Sequence, residues 1–341
     1  MKKALILGLA FIMVLLFFKV VWARLKDMGL GGQNVQVSLQ WITTIPAGGV
    51  GPGNYGRKLQ VGGLKRFYEI HVPPSYNKRA PVPVVLLFHG GGGYPGAIRF
   101  ESGMERVSDQ EGFIVVYPAG QPGNRLFSDR LLIWNDGRST KGTGLSDDVA
   151  FVRALLDDLP RLFNVDPRRI YAAGFSNGAQ FSYVLASRMS DRIAAIAAVA
   201  GQRPVGEFTS PPPRPISVIQ FAGKQDNLAP YAGGSPPEGF GTAKFITQFK
   251  PVREAIQSWV SLDGCPSQPA EVRRVGRAVK ERWGPCKNDT EVILWTLEDG
   301  GHAWPGGNML PAGAKIGQGN INRDIAASEL IWEFFKRHPL R

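Results

Sequence analysis

The sequence predicts an α/β fold, a mostly parallel sheet with helices on both faces. Two observations carry that expectation. Short apolar runs of buried-strand type recur at 83–88, 113–117, 170–173, 193–199, 216–221 and 291–297. Helical patterns separate them at 98–110, 147–163, 179–189, 251–261 and 324–336. Apolar runs, as opposed to strict alternation, mark strands covered on both faces, and strands alternating with helices imply parallel neighbours. No internal repeat is evident.

Taken in order, residues 1–23 precede the fold. Lys2-Lys3, an apolar run over 4–18 and then Val21-Trp22-Ala23 read as a secretory signal peptide cut after Ala23. That places the expected protein outside the cytoplasm, secreted or periplasmic, with no stable membrane partner once the leader is removed. The competing expectation is an uncleaved anchor, because Val20-Val21 prolong the run. Residues 24–62, rich in Gly and Pro around 46–53, read as an irregular lead-in, and 63–341 as one catalytic domain. Within it, 67–72 is expected as an edge strand. The clearest helix is 147–163, where Val149, Val152, Leu155, Leu156, Leu159 and Leu162 form one apolar stripe. Ser146 or Asp147 would cap it, and Pro160 would bend or shorten its end.

The chain carries a formal charge of +12; without the leader lysines Lys2, Lys3 and Lys19 it is +9. Such a balance favours acidic partners without specifying one. The densest basic stretch, from Arg273 through Arg274, Arg277, Lys280 and Arg282 to Lys287, is interspersed with Glu271 and Glu281 and reads as a solvated face; docking to an anionic wall or polymer is the minority reading. No nucleic-acid motif accompanies it. The two cysteines, Cys265 and Cys286, lack metal-site spacing, so neither a metal nor any other cofactor is expected. Export would permit a disulfide between them, stabilising the fold by about 3 kcal/mol in the chain-entropy model.

The chemistry begins at Gly174-Phe175-Ser176-Asn177-Gly178. The pentapeptide is common, but here it joins a buried strand to a helix, so that a sharp turn lifts the serine hydroxyl out of the sheet. The helix that follows aims its N-terminal dipole at that oxygen. A serine hydroxyl needs a base within reach. Of the four histidines, His71 lies in a strand, His338 near the C-terminus and His89 before four glycines. His302, in a Gly-rich loop after the last strand, is the candidate base. Asp226, on the loop after the 216–221 strand, is the candidate to orient it, with Asp299 as a rival. Ser176, Asp226 and His302 then follow the nucleophile–acid–base order of the α/β-hydrolase fold. An oxyanion formed on the attacked carbonyl would be met by the N–H of Asn177 and by one from His89-Gly90-Gly91-Gly92-Gly93, Gly91 before Gly92. Trp134, Tyr231 and Trp304 are candidates for an aromatic substrate wall, with core packing the competing role.

The chain resembles the polyhydroxybutyrate-depolymerase and feruloyl-esterase group of secreted α/β-hydrolases. The resemblance rests on Arg66-Phe67-Tyr68, His89 to Gly93, Trp134-Asn135, Asp147-Asp148-Val149, Val165-Asp166-Pro167, Gly174 to Ala179, Gly223 with Asp226, Pro230 to Gly234, and Gly301 to Gly307. It implies hydrolysis of carboxylic esters through an acyl-enzyme, on polyhydroxyalkanoate oligomers or on feruloyl or acetyl esters of polysaccharides. It also implies a cysteine pair like Cys265 and Cys286. Two departures are Ala222, where the group has a histidine before the glycine, and the lack of an appended polymer-binding domain. Alternatives at this level are a peptidase of the same fold and a non-catalytic polysaccharide- or wall-binding module.

Overall fold

The computed structural model describes residues 39–46, 49–122, 132–137, 147–203, 211–235, 249–310 and 318–341. The leader, residues 1–23, lies outside these described residues. An 11-stranded sheet runs through the molecule in the order β1-β2-β3-β5-β4-β8-β9-β10-β13-β12-β11. Its strands are β1 (Gln40–Ile42), β2 (Gly53–Val61), β3 (Leu64–Val72), β4 (Val82–Phe88), β5 (Ile114–Pro118), β8 (Val165–Phe175), β9 (Ala195–Val199), β10 (Ser217–Gly223), β11 (Glu271–Val275), β12 (Ala278–Trp283) and β13 (Val292–Leu297). A separate two-stranded ribbon pairs β6 (Gln121–Pro122) with β7 (Leu132–Ile133).

The six neighbours from β5 to β13 are parallel, as their apolar runs require. All seven residues of β4 and all six of β13 are buried, which a sheet face open to water could not achieve. On one face lie α3 (Asp148–Leu162), α4 (Asn177–Met189) and α5 (Val252–Leu262), packed through residues such as Leu155, Phe181 and Trp259. On the other lie α1 (Pro95–Ser102), α2 (Met104–Glu111) and α6 (Ala327–Lys336), through Ile98, Met104 and Trp332. The chain is thus a single α/β-hydrolase-type domain.

Three expectations are corrected. The 24–62 lead-in is not irregular throughout but contributes β1 and the whole of β2, so 67–72 belongs to an inner strand and not to an edge. The signal was the Gly62-Gly63 pair, both at positive φ (55° and 78°), the conformation of a tight two-residue hairpin turn. The 98–110 helix is two helices, broken at Gly103, whose φ of 57° ends α1 in the left-handed region. The basic stretch keeps its expected solvated face: most of it lies on the antiparallel edge hairpin β11–β12, where Arg274 and Arg277 are exposed and face Glu298 and Asp299. Asp147 also caps α3 as expected, accepting the Ala150 N–H at 2.9 Å, and α3 passes through Pro160 to Leu162.

Register places the chemistry. Phe88 pairs with Gly174, Phe175 and Phe221 with Val199, and Gly223 with Leu297. The carboxyl ends of β4, β8, β9, β10 and β13 therefore align along one edge, where open α/β sheets bind ligands. Cys265 and Cys286 form a disulfide that ties the chain after α5 to the turn before β13.

Candidate active site

Ser176 occupies the step between β8 and α4 with φ 55° and ψ −118°, a backbone conformation that costs a residue with a Cβ. The turn is held by the Ser176 N–H on the Val199 carbonyl at 2.8 Å and the Gln180 N–H on the Ser176 carbonyl at 3.1 Å. The flanking glycines are required by space. A Cβ on Gly174 would lie 2.2 Å from the Gly178 carbonyl oxygen, and one on Gly178 would lie 2.4 Å from that of Phe88. Gly201, at the end of β9, is under the same constraint, 2.4 Å from the Ser176 carbonyl. That third close approach was not read from the sequence, although a glycine straight after a buried parallel strand was its visible mark.

Asp226 and His302 meet. The His302 Nδ1–H donates to Asp226 Oδ2 at 2.8 Å, with both side chains nearly buried. The second carboxylate oxygen of Asp226 accepts the N–H groups of Leu228 and Ala229 at 2.8 and 2.7 Å, so the acid is fixed before it touches the ring. With Nδ1 carrying the proton, Nε2 presents a lone pair. The imidazole packs beside Phe175, ring centroids 4.9 Å apart, which sets it next to the turn that carries Ser176. Among the described residues no hydrogen bond joins the Ser176 hydroxyl to the ring; such contacts often tighten only when substrate is bound. The rival acid has other work: Asp299 accepts from Asn322 Nδ2 at 2.8 Å and faces Arg277.

The oxyanion candidates separate. Asn177 is the first residue of α4, so its N–H has no intrahelical acceptor. Gly91 lies against it; a Cβ there would fall 3.5 Å from the Asn177 Cβ. The Gly92 N–H is already spent on the Leu132 carbonyl at 2.8 Å, which removes Gly92 as a donor. His89 is wholly buried, its Nδ1–H donating to the Gly90 carbonyl at 2.8 Å and its Nε2 accepting the Gly120 N–H at 3.0 Å. Burial drives its pKa down to about 4, so it is a neutral brace for the glycine loop.

Two of the expected aromatic wall residues belong to the core instead. Trp134 is 1% exposed, stacks on Phe181 at 5.1 Å and donates its indole N–H to the His89 carbonyl at 3.0 Å. Trp304 is also 1% exposed and donates to Ser328 Oγ at 3.0 Å. Both indole N–H groups found buried acceptors, which let these large rings leave solvent. Tyr231 stays half-buried, its hydroxyl bonded to Thr296 Oγ1 at 2.9 Å. Among the described residues no cluster of His, Cys, Asp and Glu is arranged to hold a metal, and no helix is long and apolar enough to cross a membrane.

Sheet order, crossovers and the placement of this edge define an α/β-hydrolase. Among solved structures, the acetyl xylan esterase of Aspergillus awamori aligns with a TM-score of 0.52 at 16% identity, covering 82% of this chain and 98% of that one, which marks a shared fold. The family model described as Esterase PHB depolymerase matches residues 67–219. Poly(3-hydroxyalkanoate) depolymerase C of Paucimonas lemoignei is 30% identical over 87% of this chain and 70% of its own. Feruloyl esterase B of Piromyces equi is 30% identical over 70% of this chain, which spans only 43% of that relative's length. The chain belongs to the polyhydroxybutyrate-depolymerase and feruloyl-esterase family, and it is a carboxylic ester hydrolase.

Proposed function

We propose that the protein is a serine esterase that works outside the cytoplasm through an acyl-enzyme. The observation that carries this reading is the 2.8 Å bond from His302 Nδ1 to Asp226, beside a Ser176 held in a strained strand-to-helix turn. In the first half-reaction His302 Nε2 takes the Ser176 proton as Oγ attacks the ester carbonyl. Asp226 holds the tautomer and stabilises the imidazolium. The N–H groups of Asn177 and Gly91 bind the oxyanion, and the imidazolium returns its proton to the leaving alcohol. Water, activated by the same ring, then releases the acid and restores Ser176. The names of the relatives support substrates of two kinds, polyhydroxyalkanoate oligomers and feruloyl or acetyl esters of polysaccharides. Export rests on the pattern of residues 1–23.

The test is hydrolysis of p-nitrophenyl acetate by purified protein and by Ser176→Ala. Wild-type turnover with loss of on the order of 10⁶-fold in the variant is expected; equal turnover would refute the proposal. Rates on methyl ferulate, acetylated xylan and hydroxybutyrate oligomers then rank the substrates.

A further inference from the structure

The backbone N–H of Asn177 faces the oxyanion in the reading above, and its side chain is tightly held as well. A residue at the first turn of a helix ordinarily turns its side chain to water. Here the amide is buried and every strong bond it makes goes to one short segment, residues 132–137. Its Oδ1 accepts the Trp134 N–H at 2.7 Å, and its Nδ2 donates to the Trp134 carbonyl at 3.2 Å and to Asp136 Oδ2 at 2.5 Å. The same segment grips the opposite half of the anion cradle. The Leu132 carbonyl accepts the Gly92 N–H, and the Trp134 indole N–H donates to the His89 carbonyl. The segment is itself anchored, because the Asn135 N–H donates to Asp148 Oδ2 at 2.7 Å and Asp148 is paired at 2.8 Å with buried Arg66.

Asp136 stands out in this strap. It is almost fully buried, and it lies one side chain from the place where negative charge would develop. A carboxylate so near an anion cradle opposes the charge the cradle receives, so a favourable contribution from it has to be geometric. The charge-assisted bond to the amide is the strongest of the three that Asn177 makes. It acts along the side chain of the residue whose N–H must face the oxyanion.

The geometry points to Asp136 as a positioning residue for the oxyanion cradle: its carboxylate clamps the Asn177 amide and so aims the Asn177 N–H. This rests on the serine-esterase reading above. Misplacement of a catalytic donor by a fraction of an ångström weakens transition-state binding and leaves ground-state binding nearly unchanged.

The experiment uses full-length wild type, D136A, D136N and N177A, with active sites titrated by a fluorophosphonate. Two quantities are read per titrated site: kcat and KM for p-nitrophenyl acetate, and the inhibition constant of an aryl trifluoromethyl ketone, whose hemiketal oxyanion sits in the cradle. D136A should lose about 10–100-fold in kcat/KM, through kcat and not through KM, and the ketone should weaken by the same factor. D136N keeps an acceptor oxygen and should stay within about fivefold of wild type. N177A, which retains the N–H but loses the clamp, should match D136A, and the double variant N177A/D136N should lose nothing further. Asp158→Asn, which disturbs the buried Arg57–Asp158–Tyr68 cluster away from this edge, should lower Tm and leave both readouts in place. Wild-type kcat/KM and ketone affinity in titrated D136A would overturn the inference, as would a fall in kcat/KM without a matching loss of ketone affinity. If D136A fails to fold, N177A and the double variant decide on the same criteria. No fluorophosphonate labelling of the wild type would instead count against the serine-esterase reading.

Discussion

The loop after β4 and the loop after β13 look alike in sequence, each a histidine among glycines at the carboxyl end of a buried strand. In the structure they differ in what the ring nitrogens have left to offer. His89 has both nitrogens committed, one to the Gly90 carbonyl and one to the Gly120 N–H, in a site that burial keeps neutral. His302 has one nitrogen committed, to Asp226, and its other edge stands beside the serine turn without a partner among the described residues. The comparison teaches that a base is identified by its unspent nitrogen and by the group that fixes the spent one. Glycine-rich surroundings identify neither; they serve close backbone approach in both loops.

The predictions test how sharp that contrast is. His302→Ala should abolish turnover, by about 10⁶-fold in kcat, since serine is then left without a base. Asp226→Asn should cost about 10⁴-fold, because an amide at that position favours the wrong tautomer. A pH–rate profile on the surviving activity reports whether the loss lies in the base. His89→Gln should cost about tenfold at most, through loosening of the glycine loop, and should change stability in a pH-dependent way. The sign follows from burial: the His89 pKa falls from 6.5 to about 4, so its contribution is full above pH 6.5 and is lost as pH drops toward 4. Thermal melts of wild type and H89Q should therefore differ most above pH 6.5 and converge by on the order of 3 kcal/mol on acidification to pH 4. Asp299→Asn should change kcat/KM by less than about threefold, because that carboxylate braces Asn322 and not the imidazole. A loss as deep as that of D226N would reverse the assignment of the acid.

Much of this was legible before any coordinates. The parallel strands announced themselves as apolar runs, and Ser176, Asp226 and His302 sit on the strand-end loops where the chain order put them. What escaped reading has physical reasons. β2 is polar and glycine-punctuated, so it resembles a loop until its nine-residue pairing with β3 is seen. One glycine, Gly103, was enough to split a helix whose periodicity looked continuous. Trp134 and Trp304 lie on loops near the site, and a sequence cannot say whether a loop tryptophan turns outward or finds a buried acceptor. Gly92 stayed a second choice behind Gly91 because backbone hydrogen bonding leaves no trace in the residue type. Asp136 and the Asn177 amide drew no attention for the opposite reason: they are ordinary polar residues whose importance lies entirely in whom they meet.

The most direct test of the account is to react the protein with a fluorophosphonate and map the adduct by mass spectrometry, in wild type and in His302→Ala. One phosphonylated residue, Ser176, formed rapidly in wild type and at least about 10³-fold more slowly without the imidazole, is the predicted result. An adduct on another residue, or a Ser176 that reacts equally fast without His302, would contradict it.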